Sequence, residues 1–182
     1  AEMLAAVGFI SALALIPLST LSAVIQANPL IVTLGAALFL GERVGWRRWT
    51  AIVVGLAGVL VIIRPGTVAF DPSILLAVVA VIGLSLRDLA TRPVPRTVPT
   101  ALLSAYSFAA AAFAGLVITP FFGSFVAVDI DWLGWLTFGA VMNMVAIFAI
   151  TASMRVGEIA VVTPFRYTRL VFALAIAVLV FG

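Results

Sequence analysis

From Thr97 to Val128 the chain carries no Asp, Glu, Lys or Arg. That one stretch exceeds the roughly 20 apolar residues needed to cross the ~30 Å hydrocarbon core of a bilayer. The pattern recurs along the whole sequence. Seven apolar segments follow one another, at about Met3–Leu18, Thr20–Leu40, Arg47–Ile63, Pro72–Leu86, Pro99–Thr119, Asp131–Ala152 and Glu158–Phe181. The first and fourth are short for a span. Breakers fall between them, including Gly41-Glu42, Arg64-Pro65-Gly66 and the Arg92-Pro93-Val94-Pro95-Arg96 stretch, and Asp71-Pro72 reads as an N-cap with proline in the first turn. Of the 182 residues 65% are hydrophobic and 9% charged, whereas soluble domains are about half apolar and a quarter charged. A globular core of this size has no room for so much apolar surface. The expected fold is an all-α integral membrane protein with seven transmembrane helices, whose partner is the lipid bilayer.

The charges set the expected sidedness. All ten basic residues are arginines. Alternate loops hold Arg43, Arg47 and Arg48, then Arg87, Arg92 and Arg96, then Arg155; the opposite loops hold Arg64 with Asp71, Asp129 and Asp131. Short cytoplasmic loops retain basic residues, so the first residues are expected inside and Gly182 outside. Trp46 and Trp49 then fall at the inner interface and Trp132 and Trp135 at the outer one, as in an aromatic belt. The lysine-free, Arg/Ala/Val-rich style fits a bacterial gene and an inner-membrane location. Despite a formal charge of +3, no basic run with interleaved aromatics tracks a phosphate backbone, so a nucleic-acid partner is not expected. Zero Cys and zero His remove thiolate chemistry and the usual zinc and haem ligands. With no nucleophile–base pair either, neither an enzyme, a cofactor nor a metal is expected.

Two helical hairpins echo each other: IPLSTLSAVIQANPLIVTLGAALFLGE near the start, and RVGEIAVVTPFRYTRLVFALAIAVLVFG at the end. Each second helix has an early proline and a late apolar-Gly. Five spans separate corresponding helices, and an odd number reverses their orientation, as in the inverted repeats of transporters.

The stretch NPLIVTLGAALFLGERVGWRRWTAIVVGLAGVLVIIRPG resembles the end of the first repeat of EamA-type proteins of the drug/metabolite transporter superfamily. The resemblance is carried by Pro29, Leu40-Gly41-Glu42, Arg48-Trp49, Gly55, Gly58 and Arg64-Pro65-Gly66, and the closing TPFRY helix is similar to its counterpart in the second repeat. It implies a ten-helix fold of two inverted five-helix repeats, of which the chain holds helices three to nine. Residues 1–66 would end the first repeat and residues 67–182 would form the second without its last helix. Two further spans are expected before Ala1, and an acidic residue and one more span after Gly182. The implied function is a carrier that moves a small polar, amino-acid-like or other zwitterionic or anionic solute by alternating access. The alternative is a non-transporting subunit or assembly partner in a larger membrane complex; a homodimer is also open.

The candidate solute-binding residues are Arg166, Arg169, Tyr167, Gln26, Asn28 and Asn143, with Pro29, Pro164 and Glu42 as candidate kink or gate positions. Counting from Glu158 at 1.5 Å per residue, Arg166 lies about 12 Å and Arg169 about 16 Å into the last span. An arginine there costs roughly 2.5–3.5 kcal/mol if it faces lipid, so a cationic face on a watery cavity is one reading. Snorkelling by Arg166 and a structural bond to a carbonyl by Arg169 is the other. Every acid is expected at a span end, leaving these arginines no intramembrane ion-pair partner within the chain. Pro29 and Pro164 free the carbonyls of Ile25 and Ala160, to line a cavity or merely to shape packing. Gln26, Asn28, Asn143, Thr151 and Ser153 offer hydrogen bonds to solute or to neighbouring helices, and Tyr106 or Tyr167 could stack on a solute or pack. Glu42, at a helix C-terminus where the dipole disfavours it, is expected to be balanced by Arg43, Arg47 or Arg48. Ala51, Gly55 and Gly58 form a small-residue face for close helix packing.

Overall fold

The computed structural model describes residues 1–42, 44–65, 71–122, 129–156, 159–168 and 172. Among them all regular structure is helical: α1 Glu2–Leu15, α2 Leu18–Ile25, α3 Asn28–Phe39, α4 Trp46–Ile63, α5 Ile74–Ala90, α6 Thr100–Phe122, α7 Ile130–Val156 and the short α8 Ile159–Val162, which runs into a 3-10 turn at Thr163–Tyr167. Four of these stretches are long and apolar enough to cross a membrane: Leu18–Phe39 (α2 and α3 together), Trp46–Ile63, Thr100–Phe121 and Ile130–Val156. The chain is a multi-pass membrane protein.

α5 is the centre of the bundle. It packs against α1, α2, α3 and α7, and its buried face runs Ile74, Ala77, Val81, Ser85, Asp88, a stripe at the three-to-four spacing of one helix face. Among the described residues the α1–α5 contact is the most extensive. A Cβ on Gly83 would lie 2.4 Å from the Ala5 main-chain nitrogen, and one on Gly8 would lie 2.7 Å from that of Ala80. Close approach of this kind is how membrane helices gain packing energy where lipid offers no hydrophobic drive. The core then fills with Ala12, Ile16, Leu21, Val24 and Ala27 against Ile63, Ala77 and Val81. A second cluster joins Val32 and Ala36 to Met154.

Several expectations are corrected by this arrangement. The fourth segment does not end at Leu86. It continues to Ala90 and carries Arg87 and Asp88 into the helix, because nothing between Leu86 and Ala90 breaks a helix. It also begins two residues late: Asp71 accepts the Ser73 N–H at 2.8 Å, closing a turn before Ile74. The second segment is broken at Gln26-Ala27. There the Ala27 N–H reaches back only to Val24, and Pro29, with no N–H of its own, starts α3. Of Ala51, Gly55 and Gly58, Gly55 alone packs closely: a Cβ there would lie 2.4 Å from Leu30 Cδ1 on α3, whereas Gly58 has nothing within 4 Å of a Cβ and Ala51 is exposed.

Candidate functional site

Ser85 and Asp88 lie on the core stripe of α5, so their polar groups are delivered into an apolar bundle and need partners. They find them on α3, on the 3-10 turn and on α5 itself. Asn28, at the start of α3, accepts the Ser85 hydroxyl at 2.8 Å on its Oδ1 and donates from Nδ2 to Asp88 Oδ2 at 3.4 Å. Arg166, in the 3-10 turn, donates from Nη1 to the same Oδ2. Arg87 forks onto the other oxygen, Nε to Oδ1 at 3.0 Å and Nη2 to Oδ1 at 2.9 Å. Its remaining nitrogen reaches Glu2 Oε1 on α1 at 3.5 Å. The Asp88 side chain is 3% exposed, those of Arg166, Arg87 and Glu2 13–14%. Two guanidinium groups face two carboxylates, so the cluster is formally neutral.

The cluster walls a cavity of about 340 Å³, within the size range of small-ligand sites. Asn28, Pro29, Arg87, Arg166 and Thr168 give it a polar side, and Ile25, Ile150 and Phe172 an apolar one. A second depression, of about 480 Å³, is bordered by Glu2, Thr91, Tyr106 and Ser107 and shares Arg87 with the first.

The structure therefore brings Asn28, Pro29 and Arg166 together and corrects the expectation that no buried acid stands near the arginines. Ending the fourth span at Leu86 puts Arg87 in a loop and Asp88 at a span end, so neither is a candidate site residue from the sequence; Ser85 and Glu2 are not candidates either. The signal was present: extending the Ala77, Val81, Ser85 stripe by three residues lands on Asp88. Tyr167 is half-buried, and its hydroxyl donates to the Gln26 main-chain carbonyl at 3.1 Å. The helix break thus offers a carbonyl that a side chain takes up. Pro29 shapes that break, and its own carbonyl accepts the Thr33 hydroxyl at 2.8 Å. Asn143 lies apart from the cluster, exposed on α7. Glu42 also lies elsewhere, paired at 3.5 Å with Arg92 rather than with the expected Arg47 or Arg48. Arg92 in turn donates to the Met154 carbonyl at 3.0 Å, and Arg155 ties α7 to Thr100 and to the Pro95 carbonyl. Pro164 sits in the first turn of the 3-10 segment, directly after α8. Arg169 and Arg43 lie outside the described residues.

Residues 2–64 match the EamA-like transporter family model. The chain is 30% identical over 173 residues to a riboflavin transporter of Vibrio cholerae, covering 88% of this chain and 53% of that protein. It is 36% identical over 77 residues to an S-adenosylmethionine uptake transporter of Rickettsia felis, covering 42% of this chain and 26% of that one. A riboflavin transporter of Rhizobium johnstonii is 41% identical over 66 residues, 35% of this chain and 22% of that protein. The chain thus spans about half the length, or less, of these curated relatives. No solved structure matches it significantly. With the family model on α1 to α4 and the Vibrio relative aligned along most of the remainder, the chain is similar to the EamA-type transporters of the drug/metabolite transporter superfamily and consistent with one of them.

Proposed function

We propose that this chain forms seven of the ten helices of a carrier that moves a small polar metabolite across the bacterial inner membrane by alternating access. Residues 1–66 would close the first inverted repeat and residues 67–182 would form most of the second, with the first residues cytoplasmic. One observation carries the reading: Asn28, Arg87 and Arg166, which together hold the buried Asp88 carboxylate, line a cavity of about 340 Å³ inside an apolar bundle. Ionisable groups at membrane depth are expensive, and they mark solute pathways more often than they serve as packing. A neutral cluster with both signs of charge on offer suits a zwitterionic, amino-acid-like solute or one with a single anionic group. S-Adenosylmethionine, named for the Rickettsia relative, carries an α-amino-acid group of that kind. Riboflavin, named for the Vibrio relative, does not.

The test is uptake by liposomes containing the full-length protein, over a panel of S-adenosylmethionine, riboflavin and the common amino acids. Arg166→Ala is expected to cut uptake of the transported solute at least about tenfold, the loss of one charged partner at a site. Asn143→Ala, remote from the cluster, should leave it within about twofold. A well-folded protein that moves none of the panel would favour the non-transporting subunit instead.

A further inference from the structure

The two oxygens of Asp88 have different duties. Oδ1 is held by Arg87, its neighbour on α5, through two bonds of 2.9 and 3.0 Å. Oδ2 takes the bonds that cross between elements, from Arg166 in the 3-10 turn and from Asn28 on α3. Losing both crossing bonds would leave Asp88 still paired to the Arg87 guanidinium, so no uncompensated carboxylate would be stranded in the bundle. Arg166, Asn28 and Arg87 also face the cavity. A carboxylate arriving there would meet donors that already hold a carboxylate.

We propose that Asp88 is an exchangeable internal counter-anion. In the empty protein it occupies Arg166 and ties α5 to the 3-10 turn. A carboxylate-bearing solute takes its place on Arg166, and the tie between the two elements is released as the solute binds. This rests on the carrier reading for its purpose, while the exchange itself is measured without transport.

The chain contains no cysteine, which makes a single reporter thiol clean. Leu84 is half-buried and lines the cavity. In full-length protein freed of any other cysteine and held in liposomes, Leu84→Cys is labelled by a water-soluble maleimide. Asp88→Asn is expected to raise the labelling rate about tenfold by increasing the open population, and Asp88→Glu should keep it near the starting rate. Replacing chloride by acetate at equal ionic strength, acetate being the smallest carboxylate probe, should speed labelling when Asp88 is present and have no effect in Asp88→Asn.

An unchanged or slower rate in a folded Asp88→Asn protein would overturn the proposal, making Asp88 a fixed pin. So would an absent acetate effect beside a positive Asp88→Asn result, since the tie would then not exchange with carboxylates. If Asp88→Asn does not fold, Arg166→Gln breaks the same pair from the other side and is read the same way. Failure of both to fold means the pair is indispensable, hence not exchangeable. Labelling that behaves as expected in liposomes that transport nothing would sink the carrier reading and leave the exchange standing; transport with unresponsive labelling would do the reverse.

Discussion

Arg166 and Tyr167 are neighbours in the chain and solve two different problems of burial. A guanidinium at a helix centre facing lipid costs roughly 2.5–3.5 kcal/mol on insertion scales. Arg166 offsets such a cost by pairing with Asp88. Tyr167 answers a backbone need. Helix continuity fails at Gln26-Ala27, where Pro29 can donate nothing to Ile25, and the phenol donates to the Gln26 carbonyl at 3.1 Å. Tyr167→Phe removes that donor and keeps the ring. The expected loss is about 1 kcal/mol of stability, the usual net value of one neutral hydrogen bond, read as a lower melting temperature in detergent. An unchanged melting temperature would mean the break does not depend on this bond.

Among the described elements, α1 and α5 meet where two glycines lie against opposing backbone. Gly83→Ala would push a methyl carbon to 2.4 Å from the Ala5 nitrogen, and Gly8→Ala would bring one to 2.7 Å from the Ala80 nitrogen. Backbone cannot yield as a side-chain tip can, so each change should cost at least about 1–3 kcal/mol, as overpacking does. Gly58→Ala meets nothing within 4 Å and should be neutral or stabilising by up to ~1 kcal/mol through helix propensity. Parallel thermal melts of the three variants decide this, and equal effects at all three positions would refute it. The contrast also shows how far the sequence could be read. Hydropathy placed α1, α4, α6 and α7 closely, because leaving the lipid is signalled by residues such as Pro65, Pro99 and Asp131. It could not choose which glycines pack. Gly58 sits in a family-like motif and faces open space, while Gly8 and Gly83 sit in plain apolar runs. Polarity misled in the same way at Asp88: an acid two residues beyond Leu86 looks like a loop residue until its partners on α3 and the 3-10 turn are known. Asn28 and Arg166 were legible because a polar side chain inside an apolar run demands a partner; the identity of that partner is a tertiary fact.

At the scale of the whole molecule, sidedness rests on α6, whose 23 residues rise about 34 Å at 1.5 Å each, enough to cross the hydrocarbon unaided. The segment before it holds Arg92 and Arg96, and Arg92 and Arg155 knit that segment to the end of α7. On the far side of α6 the chain reaches Asp129 and Asp131 before α7 returns. Arginines gathered at one end and aspartates at the other support the proposed orientation, in which the α6–α7 hairpin would have its start and finish in the cytoplasm. Thr97 and Asp129 are both exposed and lie beyond opposite ends of α6, so each reports one face. With Thr97→Cys and Asp129→Cys made singly in full-length protein, a membrane-impermeant maleimide added to spheroplasts should label position 129 and leave position 97 unlabelled until the cells are lysed. Labelling of both from outside would mean that α6 does not span. The reverse pattern would turn the whole set of helices over, and would place the Asp88–Arg166 cluster nearer the outer surface than the cytoplasm.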